Sequence, residues 1–504
     1  MTYVLSRGQA PLKRVTGSQV LAAGRFALLG LALTSLVLAQ GPDRSRPPEL
    51  GPPPSVKFPP VSYLKLANGL PVLLMEKHQV PVVQINLIVR AGSVQDPAER
   101  RGLASMAMDM LDEGAGSLSA LQVADAIDFL GARLSTSAGF HTSRIALHSP
   151  LKRLDGALSV MADVVLHPTF AGAELERLRR RRLTALLQSH DESRAIAGIL
   201  FPRLLYGTSH PYGEPQDLEG PIRSIQVDDL KTFHSAFFHP GNAVLIAVGD
   251  LSPETLLPLL ETHFGSWSTA PVSHHEPPRS SKPNPVRKVW LVDKPGAAQS
   301  EIRIGQIGVR RLSPDYDKLV VLNTLLGGSF TSRLNQNLRE EHGYSYGAFS
   351  RFDFRVLPGP FVAQAAVHTE VTAKALTEFM KELDRIREPV TDEELARARN
   401  FVALRYPARF QTVSGIARQL EEKAVYGLPA DYFDTYTKRI LAVTADQLLE
   451  TARHHLDPQR MAIVVVGDRS RIEEGIRQLN LGPLELLSVD DVLGPAPKLE
   501  GPNQ

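Results

Sequence analysis

The chain has 504 residues, of which 43% are hydrophobic and 22% charged, so it is globular, with two to four domains, and is not disordered throughout. It contains no cysteine, which excludes a disulfide scaffold, a Cys-ligated metal centre, an iron–sulfur cluster and a cysteine nucleophile. The formal charge is only +2, and no excess of positive charge indicates a nucleic-acid partner.

The first residues have the pattern of a secretory signal peptide. Residues 1–25 carry four basic residues and no acidic one, and residues 26–39 are almost all apolar or small. Small side chains at Val37 and Ala39 predict a signal peptide over 1–39 and, in a bacterium with two membranes, export to the periplasm. An uncleaved anchor is the alternative, but 14 apolar residues fall short of the ~20 that span a bilayer. We expect no stable membrane insertion after cleavage.

Two proline-rich stretches divide the rest of the chain. Proline fixes φ and removes a backbone donor, so residues 40–60 are predicted to form an extended tether and residues 266–287 an extended linker. They delimit an N-terminal domain over 61–265 and a C-terminal domain over 288–481. Residues 482–504 are predicted to be a loose tail.

The two halves resemble each other. A helix and a strand ending in Gly-Asp, around residues 227–250, recur around residues 444–468 at an offset of 218. Upstream, Leu175 and Tyr206-Gly207 have counterparts in Leu395 and Tyr426-Gly427 at an offset of 220. Matching offsets in two separate segments predict an internal duplication.

Each copy begins with strands, continues with helices and ends with a returning strand. Asn68-Gly69 is a turn signal, residues 83–89 alternate as a strand does, and apolar residues within 103–111 recur at helical spacing. This order predicts an α+β fold with two homologous domains, each a mainly antiparallel sheet with helices packed on one face.

Several motifs occur in a fixed order: Arg90-Ala91-Gly92-Ser93, Gly102-Leu103-Ala104, Tyr206-Gly207 with His210-Pro211-Tyr212-Gly213, and Leu326-Gly327-Gly328 with Ser332-Arg333-Leu334. Together they resemble the motifs of the pitrilysin/insulinase metallopeptidases, the family that includes the mitochondrial processing peptidase. The resemblance covers about residues 60–480.

The resemblance implies a zinc motif that this chain lacks. In the family, the helix after Gly-Leu-Ala bears H-x-x-E-H, whose histidines ligate zinc and whose glutamate is the general base, and a distant glutamate completes the site. Here Ser105, Met108 and Asp109 stand at the motif positions, and the distant position falls on about Ala185. Zinc catalysis needs three protein ligands, so we expect no metal in this chain. The methionines of this helix are predicted to pack in the core.

Elsewhere in the sequence, no pair of histidines has the spacing of a metal site, and no other strong catalytic motif is present. The basic cluster at residues 177–182 is interpreted as a solvated helix face neutralised by Glu174 and Glu176.

The second half keeps a different part of the family's site. The resemblance implies an Arg and, seven residues later, a Tyr that hold the substrate and its developing oxyanion, and Arg339 and Tyr346 have this spacing. Alternatively, Arg339 forms an ion pair with Glu340, Glu341 or a remote acid, and Tyr346 only packs. Tyr344 is a neighbouring phenol, and only the seven-residue spacing from Arg339 favours Tyr346 over it.

These features lead to one main hypothesis. The chain is an exported, zinc-less pseudopeptidase without activity alone, which pairs with a zinc-bearing homologue to enclose a chamber that degrades or processes peptides. Zinc is expected only in that partner, and Arg339 and Tyr346 act there in trans. The alternative is a non-catalytic peptide-binding or scaffold protein of the cell envelope; an independent metallopeptidase with a rebuilt site is less favoured.

Overall fold

The computed structural model describes residues 58–213, 218–270 and 286–499. The predicted signal peptide lies outside the described residues, as do most of the predicted tether and linker. Within the described ranges, every helix is too short or too polar to cross a membrane.

The first half is built on a six-stranded sheet in the order β1-β2-β8-β3-β7-β6, antiparallel except for the β2–β8 pair. β4 and β5 form a separate hairpin. The predicted Asn68-Gly69 turn joins β1 to β2, with Gly69 at φ 92°. The strands are β1 (Ser62–Lys65), β2 (Pro71–Glu76), β3 (Val82–Val89), β4 (Gly114–Ala115), β5 (Leu118–Ser119), β6 (Arg133–Ala138), β7 (Ser143–Pro150) and β8 (Ala243–Gly249).

Most of the helices of this half lie between β3 and β8 in the chain. One face of β3 presents Val83, Ile85 and Leu87 to this helical layer, where they are fully buried. The helices are α1 (Leu103–Met110), α2 (Ala120–Phe129), α3 (Leu154–Leu166), α4 (Gly172–Ser189), α5 (Ser193–Tyr206), α6 (Glu219–Ser224), α7 (Val227–Phe237) and α8 (Pro253–Phe264).

The second half repeats this arrangement. Its sheet has the order β11-β12-β10-β13-β9-β14. The strands are β9 (Lys288–Asp293), β10 (Gln299–Ile307), β11 (Ser345–Phe352), β12 (Pro360–His368), β13 (Ala462–Gly467) and β14 (Leu484–Leu487). The helices are α9 (Tyr316–Leu326), α10 (Arg333–Asn335), a π-helical turn (Gln336–Glu341), α11 (Thr372–Arg385), α12 (Asp392–Arg405), α13 (Val413–Tyr426), α14 (Tyr432–Leu441), α15 (Ala445–His455), α16 (Arg469–Gln478) and α17 (Val489–Leu493). Short 3₁₀ turns lie at Ser93–Gln95, Ala98–Arg100, Leu151–Arg153, Pro240–Asn242, Thr369–Val371, Tyr406–Phe410 and Pro458–Arg460.

The predicted duplication is confirmed by the strand order. Read from the opposite edge, the second sheet runs β14-β9-β13-β10-β12-β11, and the parallel β9–β13 pair takes the place of β2–β8. The bounds of α7 and α15 differ by the predicted 218 residues, and those of α5 and α13 by the predicted 220. The predicted α+β fold with two homologous, mainly antiparallel sheets is therefore confirmed.

One helix from each half lies on the sheet of the other half. α5 packs on β10 and β13, where Phe201 and Leu200 are buried beside Val464. α13 packs on β3 and β8, so Ile416 joins the same core as Ile88. Each sheet is thus covered on both faces, so the prediction of helices on one face is incomplete, because it lacks the helix that comes from the other half. The two halves belong to one compact unit.

The predicted loose tail is wrong for residues 484–493. β14 pairs in parallel with β9, which would otherwise be the edge strand of the second sheet, and α17 buries Val492 and Leu493 against α5. An exposed sheet edge leaves backbone donors and acceptors unpaired, and this segment pairs them.

A buried polar cluster also joins the halves. The Arg355 guanidinium lies 4.0 Å from the ring centroid of Phe140 and 4.5 Å from that of Tyr212. Tyr206 donates a hydrogen bond to the Pro358 carbonyl at 2.9 Å. His141 forms a hydrogen bond with the Tyr212 hydroxyl, and burial, aided by the charge of Arg355, lowers the pKa of His141 to about 4.

Because the pKa of His141 is lowered in this cluster, the free energy of unfolding should decrease at low pH. The pKa of His141 is about 6.5 in the unfolded chain and about 4 in the folded protein, so the unfolded chain binds the proton more readily. The free energy of unfolding is therefore highest above pH 6.5 and decreases as the pH falls towards 4. Relative to a His141→Gln variant, the wild type should lose up to about 3 kcal/mol of unfolding free energy across that window. Urea unfolding of both proteins over this pH range measures the difference, and a pH-independent difference would contradict this role of His141.

Candidate functional site

The first candidate site is on α1, whose N-terminus is fixed by Asp96. The Asp96 carboxylate accepts hydrogen bonds from the backbone N–H groups of Gly102 at 2.8 Å and Ala104 at 2.9 Å. Burial raises the pKa of Asp96 to about 7 despite these donors. The loop before α1 therefore holds the helix in a fixed position against the first half.

The two faces of α1 differ. Met106 and Met108 are fully buried in the core of the first half, as predicted. Ser105 and Asp109, one helical turn apart, lie on the partly exposed face. The side chains at the two histidine positions of the family motif therefore project together towards α4.

A guanidinium bridges those two positions. Nη2 of Arg182, on α4, lies 2.9 Å from Ser105 Oγ and 2.8 Å from Asp109 Oδ2. The Arg182 side chain is only 9% exposed, and Arg181 lies 3.5 Å from the same carboxylate. A fixed positive charge from the protein itself thus sits between the residues that replace the histidines.

These residues do not fit a zinc ion. Asp109 is the one carboxylate among the motif positions, and it is engaged by Arg182. Met108 is buried and has no proton-accepting group, while Ala185 is exposed on α4 and has no ligand atom. Across residues 58–213, 218–270 and 286–499, no three His, Asp or Glu side chains are grouped to hold a metal ion.

The interpretation of residues 177–182 as a solvated face is wrong for two of its arginines. Arg182 reaches Ser105 and Asp109, and Arg179 is 7% exposed and donates to the carbonyl oxygens of Ile222 and Ile225. These two residues turn inwards because they lie on the side of α4 that faces the first half. Sequence reasoning missed Arg182, although it precedes Ala185 by one helical turn.

The second candidate site holds Arg339 and Tyr346. Arg339 is in the π-helical turn and Tyr346 is the second residue of β11. The guanidinium carbon lies 5.1 Å from the Tyr346 ring centroid and 4.6 Å from that of Phe330. The two residues that the family resemblance implies are therefore neighbours in space.

The surroundings of Arg339 agree with the alternative interpretation, whereas those of Tyr346 do not. Arg339 Nε lies 3.2 Å from a Glu340 carboxylate oxygen, so the ion pair of the alternative interpretation is present. Tyr346, however, is 89% exposed and is not packed. Tyr344 stacks on His342, with ring centroids 4.9 Å apart, and packs against the core of the second half. The two tyrosines thus have different surroundings: Tyr344 is partly buried against the core, whereas Tyr346 is exposed.

Tyr346 lines a cleft of about 840 Å³ that both halves contribute to. The first half supplies Asp191 to Arg194, the segment that follows α4; the second supplies the loop from Lys294 to Gln299 and the start of β11. Guanidinium and phenol groups can donate hydrogen bonds to a carbonyl oxygen and stabilise negative charge on it.

Comparison with known proteins identifies the family. The profile described as insulinase (peptidase family M16) matches residues 71–198, and the one described as peptidase M16 inactive domain matches residues 224–402. The chain belongs to the insulinase family of peptidases. Within that family it is of the inactive type, because Ser105, Met108 and Asp109 replace the catalytic motif.

The relatives of this insulinase-family chain include proteins named as proteases and a protein named as a non-peptidase. It is 23% identical to the non-peptidase homolog YmxG of Helicobacter pylori, over 80% of this chain and 93% of the relative. It is 27% identical to an uncharacterized zinc protease of Mycobacterium tuberculosis, over 80% and 92%. The crystal structure of a peptidase M16 inactive domain from Pseudomonas fluorescens matches with a TM-score of 0.75 and 26% identity, over 81% of this chain and 98% of that one.

Proposed function

We propose that this chain is an exported, zinc-less pseudopeptidase that pairs with a zinc-bearing homologue and contributes Arg339 and Tyr346 to peptide cleavage there. The partner subunit would hold the zinc ion, which would supply an activated water. This chain supplies donors for the substrate carbonyl and one wall of the peptide chamber.

The contrast between the two candidate sites carries the proposal. The position that would hold a metal is filled by the Arg182 guanidinium, bonded to Ser105 and Asp109. Tyr346 remains 89% exposed in an open cleft with Arg339 beside it. Loss of all catalytic function should erode both sites together, whereas here the metal positions are replaced and the Arg339–Tyr346 pair is kept.

Export to the periplasm is part of the proposal. It rests on the signal-like pattern of residues 1–39. Fractionation of the native cells should place the protein in the periplasm with Gln40 as its first residue; recovery in the membrane fraction with residues 1–39 attached would contradict this part.

The pairing is tested by reconstitution with the exported zinc-bearing homologue of the same organism. Adding this chain at increasing concentration should raise the homologue's cleavage of a quenched fluorescent peptide to a plateau at least about 100-fold higher, since one oxyanion donor accounts for 10²–10³ in rate. This chain alone should give no chelator-sensitive cleavage. An Arg180→Ala variant, changed at an exposed position on α4, should reach the same plateau.

Two results would overturn the proposal. One is a mixture whose cleavage equals that of the homologue alone. The other is chelator-sensitive cleavage by this chain without a partner. Stable binding of peptides or envelope proteins without any effect on the homologue would instead establish a scaffold function.

A further inference from the structure

A groove runs away from the Tyr346 cleft along the second half. It consists of two adjoining cavities of about 350 and 440 Å³, which share Gly328, Phe401 and Arg405. The first also shares Phe349 with the Tyr346 cleft. We call this surface the arginine groove; it extends from β11 to the end of α12 and the turn that follows.

The floor of the groove is closely packed at the loop after α9. A Cβ on Gly327 would lie 2.2 Å from the Ser350 backbone nitrogen, and one on Gly328 would lie 2.6 Å from the Asn323 side chain. Ser350 N–H donates to the Gly327 carbonyl at 3.1 Å. Only glycine allows the loop to approach β11 this closely, so these two positions determine the shape of the groove floor.

The groove is positively charged and lacks acids. Arg351, Arg405 and Arg409 line it with exposed side chains, and no Asp or Glu is among its lining residues. Within the described ranges, none of these three arginines has a carboxylate within ion-pair distance. Arg311 and Arg333, in the same half, pair with Glu422 and Glu394 at 2.6 and 2.8 Å.

Aromatic rings hold two of these guanidinium groups. The Arg405 guanidinium carbon is 4.7 Å from the Phe401 ring centroid, and that of Arg409 is 5.7 Å from the Tyr406 centroid. These contacts place the two guanidinium groups beside aromatic rings, and the N–H edges of a guanidinium match the two oxygens of a carboxylate. Exposed Phe330 and Phe349 add apolar surface where the groove meets the cleft.

We propose that the arginine groove binds an acidic peptide segment, with Asp or Glu side chains held by Arg405 and Arg409 and an apolar side chain against Phe349. The combination of unpaired guanidinium groups, apolar rings and absent acids is complementary to such a segment. The proposal concerns binding by this chain alone and does not depend on a zinc-bearing partner.

Single-stranded nucleic acid is the less favoured occupant of the arginine groove. Such strands stack their bases on open aromatic faces in a groove that follows the backbone. Here one face of the Phe401 ring is covered by a guanidinium, and the chain as a whole carries a charge of only +2.

Binding is tested with the purified full chain and labelled peptides, read by fluorescence anisotropy. The probes are a peptide alternating Glu with Phe, its Gln–Phe and Lys–Phe counterparts, and a single-stranded oligonucleotide of similar length. The Glu–Phe peptide should bind at least about 10-fold more tightly than the Gln–Phe peptide, because hydrogen bonds to a charged partner are stronger than those between neutral groups. Added salt should weaken its binding.

Charge reversal locates the site. The Arg405→Glu, Arg409→Glu double variant should lose at least about 10-fold in affinity for the Glu–Phe peptide and gain affinity for the Lys–Phe peptide. An Arg180→Glu variant, equally exposed but on α4, should bind as the wild type does. Both variants should keep the wild-type melting temperature, since the altered side chains are exposed.

Three results would overturn this proposal: equal affinity for the Glu–Phe and Gln–Phe peptides, unchanged binding by the double variant, or tighter binding of the oligonucleotide than of the Glu–Phe peptide. None of them bears on whether the chain activates a zinc-bearing homologue, so failure here is distinguishable from failure of the pairing.

Discussion

Ser105→His, Asp109→His and Ala185→Glu together should create a zinc site of useful affinity only when Arg182 is also replaced by leucine. The triple change supplies two imidazoles one turn apart on α1 and a carboxylate on α4, the ligand set of a three-ligand zinc site. Met108 is left unchanged because its side chain is fully buried and the test concerns binding alone.

Arg182 opposes the metal through its charge and its position. Its Nη2 lies within 2.9 Å of both atoms that mark the ligand positions. Two unit charges about 4 Å apart near a protein surface interact by about 4 kcal/mol, and a dication doubles that repulsion. Even if Arg182 moves partly aside once Asp109 is gone, the affinity for zinc should fall by at least about 100-fold relative to the Arg182→Leu background.

Competition with a chromophoric chelator gives the zinc affinities, and elemental analysis gives the stoichiometry. The matched control is Arg180→Leu in the same triple background, which removes an exposed positive charge from the same helix. That control should bind no more tightly than the triple variant itself. Equal zinc affinity with and without Arg182, or no binding in either, would contradict the placement of Arg182 at the metal position.

The elements that could be predicted from the sequence are those determined by residues close together in the chain. The Asn68-Gly69 turn and the helix over 103–110 follow from turn chemistry and apolar spacing. The duplication was visible because a repeat with offsets of 218 and 220 keeps its helix and strand boundaries. Arg339 and Tyr346 were implied by the family resemblance, and the structure brings them together, while their role is a prediction.

The packing of α5 and α13 on the sheet of the other half was not predicted. Helical periodicity shows that a helix has an apolar face, but it does not show which sheet covers that face. One signal was present: the residues of β8 and β13 are all buried, and their continuous apolar sequences are typical of strands covered on both faces.

Arg182 was missed for a related reason. Five arginines in six residues look like a solvated face, whereas the groups that Arg182 contacts are 77 and 73 residues earlier in the chain. The available signal was chemical: replacing both histidines by Ser and Asp left one carboxylate on α1, and a helix with a cation one turn before Ala185 could neutralise it.

Tyr346→Phe should reduce peptide cleavage by the reconstituted complex about 100-fold while leaving assembly with the zinc-bearing homologue unchanged. The exchange removes one hydroxyl from a side chain that is 89% exposed, so neither folding nor the contact with Arg339 should suffer. A donor that acts on developing negative charge affects kcat rather than KM.

Tyr344→Phe is the matched control, since it removes the same atom two residues earlier from a ring that stacks on His342. Its kcat should stay close to that of the wild type. Glu340→Ala separates the two interpretations of Arg339: loss of the 3.2 Å ion pair should leave cleavage intact, whereas Arg339→Ala should lower it as strongly as Tyr346→Phe does. If Tyr346→Phe and Tyr344→Phe gave the same rates, or if Glu340→Ala were as damaging as Arg339→Ala, the pair would have a structural role and would not act on the substrate carbonyl.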